Sequence, residues 1–320
     1  MSTQKENVSI GLSAAILAVE GERPSVLVVA HGGSLDALPF GPFDPVQHRT
    51  LESGLRQWVG EQTGFELGYA EQLYTFGDKG RHLSAPGGGR VVSVGYVALT
   101  RQTSTARETQ GTQWHGWYQY FPWEDWRDQK PAMIDSVILP ALKKFVKDAP
   151  AGLGELRRER VNLCFGEGWD EERVLERYEL LYEAGLIEEF YRDSGKFDKQ
   201  GSAKASGLGI PMLFDHRRIL ATAIARLRGK LKYRPVVFEL MAPAFTLLEL
   251  QRAVEALAGL RLHKQNFRRL VAEQGLVEGT GKFSTPARGR PAELFRFRRE
   301  VLRERPAPGV RLGVRRARLS

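Results

Sequence analysis

The apolar spacing of this chain changes period near residue 125, and that change limits the folds open to it. Upstream, "VSIGLSAAILAVE" (8–20) and "SVLVVA" (25–30) are apolar and β-branched. They read as two strands joined by the turn "GERP". Strand-like runs return in "YAEQLYTF", "RVVSVGYVALT" and "WHGWYQYF". Between them Leu51, Leu55, Trp58 and Val59 recur at i, i+4, i+7 and i+8, which predicts a helix with one buried face. Asp44-Pro45-Val46-Gln47 predicts its start: Asp caps, Pro suits the first helical position, and Gln three residues on closes a capping box. Gly64 predicts its end. Downstream, "MIDSVILPALKKFVKDA" and "DEERVLERYELLYEAGLIEEF" carry apolar residues at helical spacing. A loop, "GKFDKQGSAKASGLG", leads to a long helix, "DHRRILATAIARLRGKLK", with Ile219, Leu220, Ala223, Ile224, Leu227 and Leu231 on one stripe. The order predicts an α/β (α+β) chain, and 320 residues suffice for two domains with a sizeable core.

The net charge of +9 is unevenly spread. Residues 215–320 hold 24 Lys and Arg against 9 Asp and Glu, while residues 1–214 hold 23 against 29. An acidic body joined to a strongly basic third predicts that the basic third meets a polyanion. The tail "RLGVRRARLS" is expected to be disordered. One cysteine, Cys164, can form neither an internal disulfide nor a cysteine metal cluster, which fits a reducing cytoplasm. No apolar run approaches the roughly 18 residues of a membrane span, so no membrane partner is expected. The start "MSTQKENVSIGL" lacks the shape of a signal peptide.

The basic third carries the pattern helix, turn, helix, wing. Thr246 with Glu249 forms a capping box, Leu247, Leu250, Val254 and Leu257 give the first helix a core face, and Gly259 ends it. After the turn "LRLH", residues 264–273 form a second helix with Phe267, Leu270 and Val271 inward. Lys264, Gln265, Asn266, Arg268 and Arg269 are left on its outer side, the residue types that read base edges in a major groove. Residues 276–297 then read as a hairpin tipped by "STPARGRPA", which places Lys282, Arg288 and Arg290 to reach phosphates or a minor groove.

The stretch "GLRQWVGEQTGFELGYAEQLYTFGD" (54–78) resembles a Nudix box, the helix whose clustered carboxylates hold Mg²⁺ in Nudix hydrolases. In one register Gln57 stands for the Arg, Trp58 for the first Glu, and Glu61 and Gln62 for the Glu pair. Shifted by one residue, Arg56-Gln57 becomes the Arg-Glu pair and Gly60-Glu61 the acidic pair, so only Glu61 survives either way. One carboxylate is a poor Mg²⁺ site and leaves no evident general base, so neither a catalytic residue nor a metal site is expected. "LPFGPFDP" resembles the loop that precedes the box in Nudix proteins, and "LYTFGDKGRH…GRVVSVGYVAL" the segment after it. That resemblance spans roughly residues 8–121.

Taken with "FDHRRIL" and "FTLLELQ…NFRRLV…GRPAELFRF", the chain resembles the Nudix-related transcriptional regulators of NAD metabolism, the NrtR-like group, nearest its NadQ type. The resemblance implies a Nudix-like mixed-sheet sandwich with a helical insertion (about 125–209), followed by a C-terminal winged helix-turn-helix. It implies a ligand-sensing domain over 1–214, a linking helix over 215–234, a winged helix over 235–305 and a basic tail over 306–320. It also implies a homodimer on a palindromic double-stranded operator, cytoplasmic and nucleoid-associated when DNA-bound. The gene targets would be those of NAD biosynthesis, repressed by the protein, and the effector an adenine nucleotide such as ADP-ribose, NAD or ATP, with no cofactor required. By position, Arg49, Arg56, Gln57, Glu61, Arg81 and Arg90 are candidate ligand contacts, with Phe76 or Tyr96 to stack on adenine. Two other readings stay open. One is a Nudix hydrolase with an appended nucleic-acid domain, using Glu61 with Glu52 or Asp78; the other is an RNA-binding protein.

Overall fold

β1 (Val8–Glu20) is apolar at odd and even positions alike, and such a strand is stable only when both of its faces are covered. In the computed structural model, which describes residues 8–30, 35–78, 90–101, 111–195, 207–285 and 291–304, it is the centre of a mixed sheet. β1 pairs antiparallel with β2 (Arg23–Ala30) and parallel with β6 (Arg90–Leu99), Leu12 opposite Val94. β3 (Asp36–Ala37) and β7 (Thr112–Gly116) pair with β2, β4 (Phe40–Pro42) pairs with β1, and β5 (Tyr69–Phe76) forms the edge beyond β6. The expected strand "WHGWYQYF" ends at Gly116, where the chain turns into short 3₁₀ segments.

One face of the sheet (Leu12, Ala14, Ile16, Val94, Tyr96, Ala98) is covered by Leu55 and Val59 of α1 (Leu51–Thr63). The helix starts later than its sequence predicts. Asp44 accepts from the backbone N–H of Val46 at 2.8 Å and caps only a single turn. His48 is buried, its Nδ1 accepts the Asp44 N–H at 3.0 Å, and it packs against Gly54, so the chain breaks before Thr50. Thr50 and Ser53 then form the capping box, and Gly64 stops the helix with φ +66° as expected.

The segment after β7 builds a helical layer: a π-helical turn Ile134–Ile138 running into α2 (Leu139–Lys147), then α3 (Gly154–Phe165), α4 (Val174–Glu183) and α5 (Glu188–Asp193). The predicted helix over "DEERVLERYELLYEAGLIEEF" is therefore two, divided at Gly185 (φ +67°). α6 (His216–Leu231) covers the second face of the sheet (Ala15, Leu17, Phe76, Val97, Leu99) and also touches α4. Gly95 allows the close approach, since a Cβ there would lie 3.0 Å from the Phe76 ring and 3.1 Å from Ile219.

After α6 the basic third continues with α7 (Val237–Leu240), α8 (Leu247–Ala258) and α9 (Lys264–Gln274), followed by a hairpin of β8 (Val277–Phe283) and β9 (Glu293–Phe297), and α10 (Val301–Glu304). The Thr246–Glu249 capping box is present, and Phe245 joins the hairpin through paired backbone bonds with Phe295. The candidate tail 306–320 lies outside the described residues.

α8 packs directly on β1, β2 and α6. Arg228 of α6 donates to the Leu257 carbonyl at 3.0 Å, Tyr118 to the Ala256 carbonyl at 2.7 Å, and the Trp126 N–H to the Gly259 carbonyl at 2.8 Å. Beneath them Glu124, 1% exposed, accepts from Arg177 at 2.6 and 2.8 Å and from Arg228 at 2.7 Å. Gly259 holds φ +74°, and a Cβ there would sit 2.5 Å from the Glu124 carbonyl oxygen. A left-handed backbone costs a non-glycine residue about 1–2 kcal/mol, and overpacking adds about 1–3 kcal/mol. Gly259→Ala is therefore expected to lower the urea midpoint clearly; a stability within about 0.5 kcal/mol of wild type would show that the contact at Gly259 does not hold the two layers together.

Candidate nucleic-acid interface and ligand face

On α9 the 3.6-residue period turns Phe267 (1% exposed) and Val271 (2%) inward. Lys264, Gln265, Asn266, Arg268 and Arg269 are all exposed. The N-cap position, His263, is extended (ψ 120°) and makes no side-chain cap, and the first turn holds no acid. Its positive dipole end therefore adds to Lys264 rather than being neutralised. Arg269 makes one long surface pair with Glu273, at 3.5 Å.

In the hairpin Val277 stands opposite Phe297, and the register shifts between Gly279 and Phe283. Lys282 is exposed, while Arg288 and Arg290 lie outside the described residues. The neighbouring cations differ in state. Arg296 pairs across the strands with Glu278 at 2.7 Å, whereas Arg299 and Arg303 are exposed beyond β9. Sequence reasoning set none of these three apart, since nothing in an Arg-rich run distinguishes a paired cation from a solvated one.

The α1 side is organised differently. Trp58 stands where one register places a metal carboxylate; its ring lies over Gly41, where a Cβ would come within 2.2 Å, and its Nε1 donates to the Pro42 carbonyl at 2.8 Å. Gln62 exchanges two hydrogen bonds with the Phe40 backbone, at 3.0 and 2.6 Å. Both positions thus fasten "LPFGPFDP" to the helix. Arg56 pairs with Glu52 at 2.8 Å and donates to the Leu67 and Gly68 carbonyls. Gln57 donates to Glu61 at 2.8 Å, and Arg49 is exposed. Tyr96 lies on this face beside Gln72, with burial first and the Glu52 charge second raising its phenol above the ordinary range.

The other candidates lie elsewhere. A bulge between Gln72 and Thr75 of β5 adds one residue, so Gln72 faces Tyr96 while Phe76 pairs with Ser93 and turns toward α6. The Arg218 guanidinium lies 5.3 Å over the Phe76 ring, and Arg218 also pairs with Asp78. Phe76 and Tyr96 are on opposite faces of the sheet. Arg90 is bound to the Gly77 carbonyl at the start of β6, and Arg81 lies outside the described residues. Among the described residues no three His, Cys, Asp or Glu side chains gather as a metal set.

Comparison with known proteins bears on both halves. Residues 237–297 match the family model of the NrtR DNA-binding winged helix domain. The C-terminal unit is an NrtR-type winged helix. The chain is also 44% identical over 90 residues to the ADPR responsive transcriptional repressor NtrR of Acinetobacter baylyi, a match covering 28% of this chain and 36% of that relative. The whole architecture superposes on NrtR of Shewanella oneidensis, solved in complex with a 27mer DNA, with TM-score 0.53 and 21% identity over 91% of this chain and 94% of the other. A second structure of NrtR from Shewanella oneidensis gives TM-score 0.53 at 20% identity over 91% of this chain and 95% of the other. The fold is thus NrtR-like, a mixed-sheet body carrying an NrtR-type winged helix over residues 237–297. No described helix is long and apolar enough to cross a membrane.

Proposed function

We propose that this protein is a DNA-binding transcriptional regulator controlled by an adenine nucleotide, a repressor of NAD biosynthesis genes. Residues 1–214 serve as the ligand-sensing domain, 215–234 as the link and 235–305 as the DNA reader. The observation that carries this reading is α9: five base- or phosphate-competent side chains, all exposed on the second helix of an NrtR-type winged helix. The ADPR-responsive name of the Acinetobacter relative supports ADP-ribose as the first effector to test, before NAD and ATP. Lys264, Gln265, Asn266, Arg268 and Arg269 read or position the duplex, and Lys282, Arg288 and Arg290 extend that contact along the wing. A homodimer on a palindromic site is part of this reading.

On the ligand side, Arg56, Gln57, Glu61 and Tyr96 share the α1 face and form the better-supported set, with Arg49 at its edge. Arg81, Arg90 and Phe76 depend on the ligand reaching past β5. The hydrolase reading is weakened because Glu52 is paired with Arg56 and Asp78 with Arg218, leaving Glu61 without a second free carboxylate of the pair it would need. The test has two arms. Selection from random duplex DNA should enrich a palindrome, and binding to it should change when ADP-ribose is added.

Ligand binding to the native state raises the melting temperature with concentration by mass action. ADP-ribose at millimolar concentration is expected to do so with no Mg²⁺- or Mn²⁺-dependent turnover. Turnover abolished by Glu61→Gln would favour the hydrolase, and unshifted melting curves with ADP-ribose, NAD and ATP would end the sensor reading.

A further inference from the structure

The turn between β1 and β2 carries Glu22, and its carboxylate reaches across to the winged helix. It accepts from Arg261 at 2.8 Å and lies 3.3 Å from Arg252. Arg252 is exposed on α8, and Arg261 lies in the turn that delivers α9, three residues before Lys264. Both belong to the unit that carries the DNA-reading side chains. Arg261 also meets Glu255 at 3.0 Å and Asp128 at 3.8 Å.

The contact is not needed to shape the turn. Glu255 accepts the Leu262 N–H at 2.9 Å, and Gln251 donates to the Leu262 carbonyl at 3.0 Å, so the winged helix holds its own turn. Nor is it needed for docking, which rests on the bonds of Arg228, Tyr118 and Trp126 to residues 256–259. Glu22 is 38% exposed, Arg261 45% and Arg252 50%. Ion pairs so exposed contribute about 0–1 kcal/mol to stability. Their larger consequence is electrostatic: a carboxylate of the body neutralises two guanidinium groups beside the recognition helix, sharing Arg261 with Glu255, and so competes with a DNA phosphate for them.

We propose that Glu22 is an autoinhibitory latch, which competes with DNA phosphates for Arg261 and Arg252 while the winged helix is docked on the body. Opening the latch adds one or two phosphate contacts per protomer without altering base reading. A ligand-driven shift of the β1–β2 turn would thereby change DNA affinity from a distance. The inference rests on the DNA-binding reading above, and its experiment separates the two.

Full-length wild type, Glu22→Gln, Arg252→Ala/Arg261→Ala and the triple variant are titrated against a fixed random-sequence duplex at several salt concentrations. Each added phosphate contact steepens the slope of log K against log salt by about 0.9. Glu22→Gln is expected to steepen it by about one to two units per protomer and to tighten low-salt binding several-fold. The double arginine variant is expected to lie near wild type, because the latch already occupies those groups. In the triple variant the gain should vanish. Loss of a nearby negative charge alone would tighten binding in the triple variant as well, so a gain that persists there overturns the latch. An unchanged slope in Glu22→Gln overturns it too. If neither wild type nor any variant binds duplex DNA, the regulator reading fails and the latch with it. Melting curves of all four proteins should coincide closely, which separates the effect from lost structure.

Discussion

Glu124→Gln is expected to cost this protein about 3–5 kcal/mol. The substitution keeps the shape of the side chain but removes the charge shared by Arg177 and Arg228, both completely buried. Two guanidinium groups then remain out of water without their counter-charge. The pH dependence should carry the same signature. Burial pushes the Glu124 carboxyl up, but the charges and hydrogen bonds of Arg177 and Arg228 outweigh it and hold the group below the ordinary carboxylate range. A group with a depressed folded pKa contributes stability above its unfolded pKa and loses it as pH falls through the folded value. The deficit of Glu124→Gln against wild type should therefore be full at pH 7 and shrink below about pH 4. Urea unfolding of both proteins at a series of pH values measures it. A deficit under about 1 kcal/mol at pH 7 would mean that the arginines find other compensation. Because Arg228 also holds the Leu257 carbonyl, the variant should loosen the winged helix from the body as well.

Removing the outer cations of α9 should have the largest effect on DNA binding. Arg268 and Arg269 are exposed mid-way along the helix, beside Asn266. A base-reading side chain is worth about 1–3 kcal/mol of discrimination, and a dimer loses that contact in each half-site. At least one of Arg268→Ala and Arg269→Ala is expected to flatten preference at particular operator positions. Lys282→Ala, Arg288→Ala and Arg290→Ala should instead weaken selected and random duplexes together and lower the salt slope by about one unit per contact. Binding curves on both duplexes at several salt concentrations distinguish these outcomes. Operator binding like that of wild type in both α9 variants would place the reading surface elsewhere.

The helix-turn-helix was legible because its signals are local. The Thr246–Glu249 box, the stop at Gly259 and the inward Phe267 and Val271 each depend on residues a few positions apart. The start of α1 was misplaced at Asp44, and Thr50 became the cap because His48 is buried against Gly54. The division of "DEERVLERYELLYEAGLIEEF" turned on Gly185, whose left-handed backbone ends α4 although the apolar spacing continues past it. The candidate ligand face was legible only in part. Alternation along a strand predicts which residues share a face, but one extra residue in β5 sends Phe76 to the side away from Tyr96. No residue type in "YAEQLYTF" marks that bulge.

From its sequence alone the chain determined its longer strands, most of its longer helices, the Thr246–Glu249 box and Gly259 stop of the winged helix and the cationic outer face of α9. These follow from spacing and from side chains that bond to their own backbone neighbours. Only the tertiary structure decided which charges are buried. Arg177, Arg217 and Arg228 are core residues because Glu124, Glu189 and several carbonyls arrive from distant segments to replace water. The fate of Glu22 was decided in the same way. It closes an ordinary turn in sequence, and it meets Arg261 and Arg252 only because α8 packs on the sheet that carries that turn. Pairing of this kind depends on Coulomb attraction across a few ångströms between residues far apart in the chain, and no local spacing records it.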